Sequence, residues 1–173
     1  NRKLFEKIGV QFQDAHYQEL IKVEELCEMT ASLYADRTDY KILLEKFDLF
    51  EKRGFYVKDL SGGQKQKLFI ILALIPNPEL VFLDELTTGL DARARREVWK
   101  ILQKLKEEGL TILLTSHFMD EVEELCDRIC ILQNGLSIFY GTVQEAIHQT
   151  KSEKLETAYL LLTEKEELYD DNL

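Results

Sequence analysis

The chain has 173 residues, 45% of them hydrophobic, enough for one domain with a buried core. Its formal net charge of −10 argues against a nucleic-acid or anionic-lipid surface. No apolar run reaches membrane-spanning length and no signal peptide opens the chain, so a membrane role would need another polypeptide to span the bilayer. Cys27, Cys126 and Cys130 are odd in number and form no CxxC pair, which reads as free thiols in a reducing compartment. Neither His16 nor His148 stands at ligand spacing from Cys126 and Cys130.

In chain order, Leu4 to Val10 reads as a strand whose partner lies outside the chain, closed by Gln13 and Asp14. Residues 18–35 carry Val23, Leu26, Cys27, Thr30, Leu33 and Tyr34 as a helical stripe. A second helix is expected over 39–50, broken at Arg53-Gly54. Leu60-Ser61-Gly62-Gly63-Gln64 then opens a helix running to Leu74, with Ser61 as N-cap. Glycines at a helix N-terminus let a ligand approach unpaired N–H groups, which suits an anion such as phosphate. The plainer reading is a turn that only caps a buried helix.

Pro76-Asn77-Pro78 stops that helix and resets the chain into Leu80-Val81-Phe82-Leu83, a short buried parallel strand ending in Asp84-Glu85. In open α/β sheets ligands sit at this carboxyl edge, and adjacent acids point to different sides. One of them is suited to a metal–phosphate and the other to an attacking water. Asp91 caps a helix bearing Val98, Ile101, Leu102 and Leu105 and ending at Gly109. A second buried strand, Leu110 to Thr115, delivers Ser116 and His117 to the same edge. After a Glu-rich helix from Met119 to Leu125, Asn134-Gly135 joins two strands in a type I′ hairpin that is expected to finish the sheet. Leu155, Ala158, Tyr159 and Leu162 mark a last helix, followed by an acidic tail from Glu164 to Asp171 that is expected to fray.

These residues carry a family resemblance. Leu60 to Gln64 resembles the signature motif of the ABC ATPases, and Leu80 to Glu85 their Walker B strand with its catalytic glutamate. Thr88-Gly89-Leu90-Asp91 is similar to the D-loop, Thr115-Ser116-His117 to the switch histidine, and Ile8 to Gln13 to the Q-loop. The resemblance implies an α/β P-loop NTPase core of RecA-like type, incomplete at its N-terminus. Residues 1–13 would end the N-terminal core, 14–60 form an inserted helical subdomain, 61–145 the signature helix and core, and 146–173 the terminal helix and tail.

It also implies roles. Asp84, with Gln13, would hold Mg²⁺; Glu85 would activate water; His117 would contact the γ-phosphate of ATP. Ser61, Gly62, Gly63 and Gln64 would bind nucleotide held on a partner in a head-to-tail dimer of ATPase domains, and Asp91 would reach the opposing site. The outer surface of the helical subdomain would dock a transmembrane permease at the inner face of the cell membrane. The last helix loosely resembles that of drug- and antibiotic-export systems. Two positions depart from the pattern: Leu86 stands where proline is usual, and Lys67 where arginine is common.

None of the eight glycines is followed by lysine, so no G-x-x-x-x-G-K-[ST] phosphate loop is present. The expectation is a chain whose phosphate loop lies upstream and which is inactive in isolation. The alternative is a catalytically inactive module that only pairs with a membrane protein or an intact ATPase. An ABC-type ATPase of DNA repair is disfavoured by the acidic charge and the lack of a coiled-coil segment.

Overall fold

A computed structural model of the chain describes residues 6–11, 17, 18 and 20–170, of which 165–170 are described by backbone alone. The chain divides into two compact units, Asn1–Thr115 and Ser116–Leu173.

The first unit is built on a parallel sheet of β1 (Ile8–Gln11), β2 (Leu80–Asp84) and β3 (Thr111–Thr115), in that order. β1 pairs with β2, Ile8 opposite Leu80 and Gln11 opposite Leu83. Gly9, Val81 and Leu83 are buried on one face. On the other, Val10 (43% exposed) and Leu113 (47%) flank Phe82 in register, and among the described residues β3, expected to be buried, is half-exposed and pairs with β2 alone. An apolar run says that a strand suits a covered position, but not whether a neighbour covers it.

Helix α3 (Gly62–Leu74) is apolar on nearly every side beyond its first two turns and packs among β1 and its neighbouring helices, with Leu68, Ile70 and Ile71 fully or almost fully buried. Helix α1 (Val23–Ser32) buries Val23, Leu26, Cys27 and Ala31, the i, i+3, i+4, i+8 stripe. Its first N–H groups are taken up by Phe55 O (3.0 Å) and Arg53 O (2.9 Å), and its last turn by Arg37, whose guanidinium donates to Ala31 O and Tyr34 O. Helix α2 (Tyr40–Lys46) stops earlier than expected. Asp48 turns into the left-handed region (φ 56°) and a 3₁₀ turn, Phe50–Lys52, follows, burying Phe47 and Leu49 without continuing the helix. The 16-residue α4 (Ala92–Glu107) completes this unit.

Cys27 is fully buried on α1, and burial, with the Glu28 charge second, pushes its thiol up to about 12. Because the thiolate is the nucleophile, a neutral-pH alkylating reagent is expected to label exposed Cys130 readily and Cys27 only after denaturation. Peptide mass spectrometry reads both sites, and equal labelling rates in the native protein would contradict this packing.

The second unit contains α5 (Met119–Leu125), β4 (Ile129–Gln133), β5 (Leu136–Gly141), α6 (Val143–Thr150) and α7 (Leu155–Asp170). Asn134 (φ 52°) and Gly135 (φ 80°) supply the two positive φ angles of a type I′ turn. Among the described residues this hairpin forms a two-stranded sheet of its own instead of finishing the parallel one: every described pairing of β4 goes to β5. Ile129, Ile131 and Phe139 on its inner face pack with Ala146, Leu155, Ala158 and Leu162. The start of α7 is tied down by Glu123, whose carboxylate accepts the Leu155 N–H at 2.8 Å. The α7 backbone is helical as far as Asp170, within the acidic run expected to fray.

Candidate functional site

The carboxyl end of the parallel sheet gathers three side chains around the end of β2. Asp84 is its last residue, paired in register with Thr115 of β3. Thr115 Oγ1 donates to Asp84 Oδ1. The Glu85 N–H is shared by Thr115 O at 3.1 Å and Thr115 Oγ1 at 3.3 Å. From the other side Gln11, 3% exposed, accepts the Asp84 N–H on its side-chain carbonyl at 3.2 Å. A buried amide needs such a partner, since an unbonded one carries a large desolvation penalty.

Glu85 turns out of the strand at φ 46°, in the left-handed region. For a non-glycine residue this conformation costs on the order of 1–3 kcal/mol and persists only where its surroundings hold it. Thr88 helps: its N–H donates to Glu85 O at 3.1 Å and its hydroxyl to Glu85 Oε2 at 3.4 Å. The residue at position 86 matters here. Proline would bias the preceding residue toward extended backbone, whereas Leu86 lifts that restriction and is itself fully buried.

Ser61 caps α3 as its sequence suggested. Its hydroxyl accepts the Gln64 N–H (3.3 Å) and Gln64 Oε1 accepts the Ser61 N–H (3.0 Å), a complete capping box. Of the glycines behind it, Gly63 also serves packing. A Cβ at Gly63 would lie 3.0 Å from Ala94 Cβ of α4, and one at Gly62 would lie 3.6 Å from Leu90. Asp91 caps α4 by accepting from Arg93 N (3.0 Å) and Ala94 N (2.8 Å). Lys67 pairs with Glu97 at 3.1 Å, which with Arg93 holds the Glu97 carboxyl below its usual range. That small stabilisation is present above the ordinary carboxylate pKa and is lost as pH falls through the lowered one.

His117 belongs to the second unit, where its ring lies 4.1 Å from that of Phe118. The turn bearing it is held by Glu121, a fully buried carboxylate that accepts from Ser116 Oγ at 2.5 Å, while Ser116 Oγ accepts the Phe118 N–H at 3.0 Å. Replacing Glu121 with alanine should destabilise the native protein by about 1–3 kcal/mol, the usual effect of orphaning buried hydrogen-bonding groups. A urea melt tests this, and an unchanged midpoint would remove Glu121 from that role.

Gln13 lies outside the described residues. Gln11 and Thr88 lie inside the Q-loop-like and D-loop-like stretches, but no role of their own was read for them, and Glu121 carried no motif. The one signal for Gln11 is a polar residue interrupting the apolar run Ile8 to Phe12. For Glu121 and Ser116 only a five-residue spacing existed, which many surface residues share.

The donors at the tip are hard oxygens, carboxylate and hydroxyl, which suit Mg²⁺. Thr115 engages Asp84 Oδ1 only, and Asp84 Oδ2 has no partner among the described residues. Among those residues no group of three or more His, Cys, Asp or Glu is arranged to hold a metal. Mg²⁺ takes one or two carboxylates and finds its other ligands on substrate phosphates and water. No helix among the described residues is long and apolar enough to cross a membrane.

Comparison with known proteins gives the context. A family model described as an AAA domain, putative AbiEii toxin of a type IV toxin–antitoxin system, matches residues 9–119. Nod factor export ATP-binding protein I of Rhizobium etli is 47% identical over 107 residues, which are 62% of this chain and 34% of that protein. Its counterpart in Neorhizobium galegae is 50% identical over 99 residues, 57% of this chain and 28% of that protein. The chain thus spans about a third of the length of these relatives. A solved ATP-binding subunit of an ABC transporter superposes with a TM-score of 0.78 at 27% identity, over 91% of this chain and 69% of that one. The ADP conformation of an ATP-binding cassette from another ABC transporter superposes at 0.73 and 21% identity, over 92% and 70%, a likeness of fold.

Proposed function

The chain belongs to the AAA-domain P-loop ATPases and among them to the ATP-binding subunits of ABC transporters, and from that premise we propose that its Asp84–Glu85 tip hydrolyses ATP to drive an export partner in the membrane. The observation that carries this reading is the tip itself: two adjacent acids, one ending the central parallel strand and one just beyond it, each held by a hydroxyl. Names of relatives that export a Nod factor support export as the direction.

Phosphoryl transfer to water asks mainly for positioning and charge neutralisation. Asp84 and Gln13 would hold Mg²⁺, which supplies positive charge against the phosphates. Glu85 orients the attacking water and takes its proton. Ser61 and the N–H groups of Gly62 and Gly63, at the open end of α3, receive the γ-phosphate of ATP bound to a second ATPase domain, with Gln64 closing the cap behind them. His117 would hydrogen-bond a γ-phosphate of ATP, and Asp91 would reach the opposing site across the dimer. Gln13 and the helical segment after it transmit closure to a transmembrane permease, which places the protein on the inner face of the cell membrane.

The 173 residues hold no G-x-x-x-x-G-K-[ST] loop, and in this reading the phosphates would be cradled by a loop outside them. The isolated 173-residue chain is therefore expected not to hydrolyse ATP. The native full-length protein is expected to do so, dependent on Mg²⁺ and stimulated by its membrane partner in vesicles. A native protein that binds a membrane protein but no nucleotide would favour a module that only pairs.

A further inference from the structure

We infer that Thr115 is a positioning residue for both acids of the β2 tip, an inference that rests on the ATPase reading above. One side chain holds two groups with different tasks. Its hydroxyl proton goes to Asp84 Oδ1, and the hydroxyl oxygen takes a share of the Glu85 N–H at 3.3 Å. The first contact leaves Asp84 Oδ2 as the oxygen without a partner among the described residues and sets the plane of the carboxylate. The second contact acts where Glu85 leaves the strand, at a left-handed φ of 46°.

Gln11 completes the arrangement from the opposite strand. β1 reaches register only as far as Leu83, so among the described residues it offers Asp84 no backbone partner, and the buried Gln11 carbonyl accepts that N–H at 3.2 Å instead. Asp84 is thereby fixed at its backbone by β1 and at its carboxylate by β3. The tip then needs no reorganisation when a cation and nucleotide arrive. A hydroxyl bonded to a ligating carboxylate orients the ligand and tunes its basicity, and such partners typically matter by 10–100-fold in metal affinity or activity.

The experiment uses the native full-length protein and two variants, Thr115→Val, which keeps shape and strand preference but loses the hydroxyl, and Thr115→Ser, which keeps the hydroxyl. Mn²⁺ binding to the complex with a non-hydrolysable ATP analogue is followed by electron paramagnetic resonance, beside kcat and KM for ATP. Thr115→Val is expected to weaken Mn²⁺ by roughly 10-fold and to lower kcat with little change in KM, and Thr115→Ser to restore both. Wild-type Mn²⁺ binding and kcat in Thr115→Val would overturn the inference, as would a Thr115→Ser protein as impaired as Thr115→Val. Asp84→Asn separates the two readings. If it too leaves Mn²⁺ binding unchanged, the ATPase reading of the tip fails; if it alone abolishes binding, only the role of Thr115 does.

Discussion

Replacing Glu85 with glutamine in the native full-length protein should lower ATP turnover by about 10²–10⁴-fold, the contribution of a well-placed general base, while leaving ATP affinity nearly intact. Glutamine matches glutamate in shape, keeps a carbonyl oxygen for the Thr88 hydroxyl, and leaves the N–H contacts to Thr115 untouched. The left-handed backbone at this position is therefore preserved, and only the ability to take a proton is lost. A single-turnover assay alongside equilibrium nucleotide binding separates the two quantities. Undiminished hydrolysis would remove Glu85 from the role of base and leave Asp84 with the metal alone.

The largest effect on stability is expected at Gly9. Its backbone lies so close to the end of α3 that a Cβ there would sit 2.1 Å from Ala73 O and 3.0 Å from Ala73 C, with Val81 Cγ2 at 3.2 Å. The first two are backbone atoms of a packed helix, so relief requires β1 and α3 to separate, not a rotamer to change. Overpacking of this kind typically costs 1–3 kcal/mol and sometimes more; a loss of about 3 kcal/mol is expected for Gly9→Ala. For a chain of this size that corresponds to roughly 6–12 °C in melting temperature. Because β1 carries Gln11 to Asp84, nucleotide-dependent behaviour should weaken with it. A Gly9→Ala protein melting within a degree of wild type would show that the close packing of strand on helix is not needed.

Much of the site was legible in the sequence because its features are local. Ser61 and Asp91 cap helices through bonds that span two or three residues, and Asn134-Gly135 dictates its own turn. Strand β2 was legible because an apolar run ending in two acids has few alternatives. What sequence could not supply was partnership across long separations. Gln11 reaches Asp84 over 73 positions and Thr115 reaches it over 31, and neither contact leaves a periodic trace. The same limit explains why β3 looked buried although its residues are exposed or half-buried among those described. The early end of α2 has a different cause: Asp48 adopts a left-handed conformation that lets Leu49 turn into the core, and tertiary burial outweighs the helical pattern.

The acids at the tip of β2 make the central claim, and a crystal structure of the native full-length Glu85→Gln protein with ATP and Mg²⁺ tests it most directly. The prediction is a γ-phosphate lying beside Asp84 and residue 85, with the cation on Asp84 and a second copy's Ser61, Gly62 and Gly63 closing over the same phosphate. Nucleotide bound away from the β2 tip, or seated there with no contact to Asp84, would contradict it.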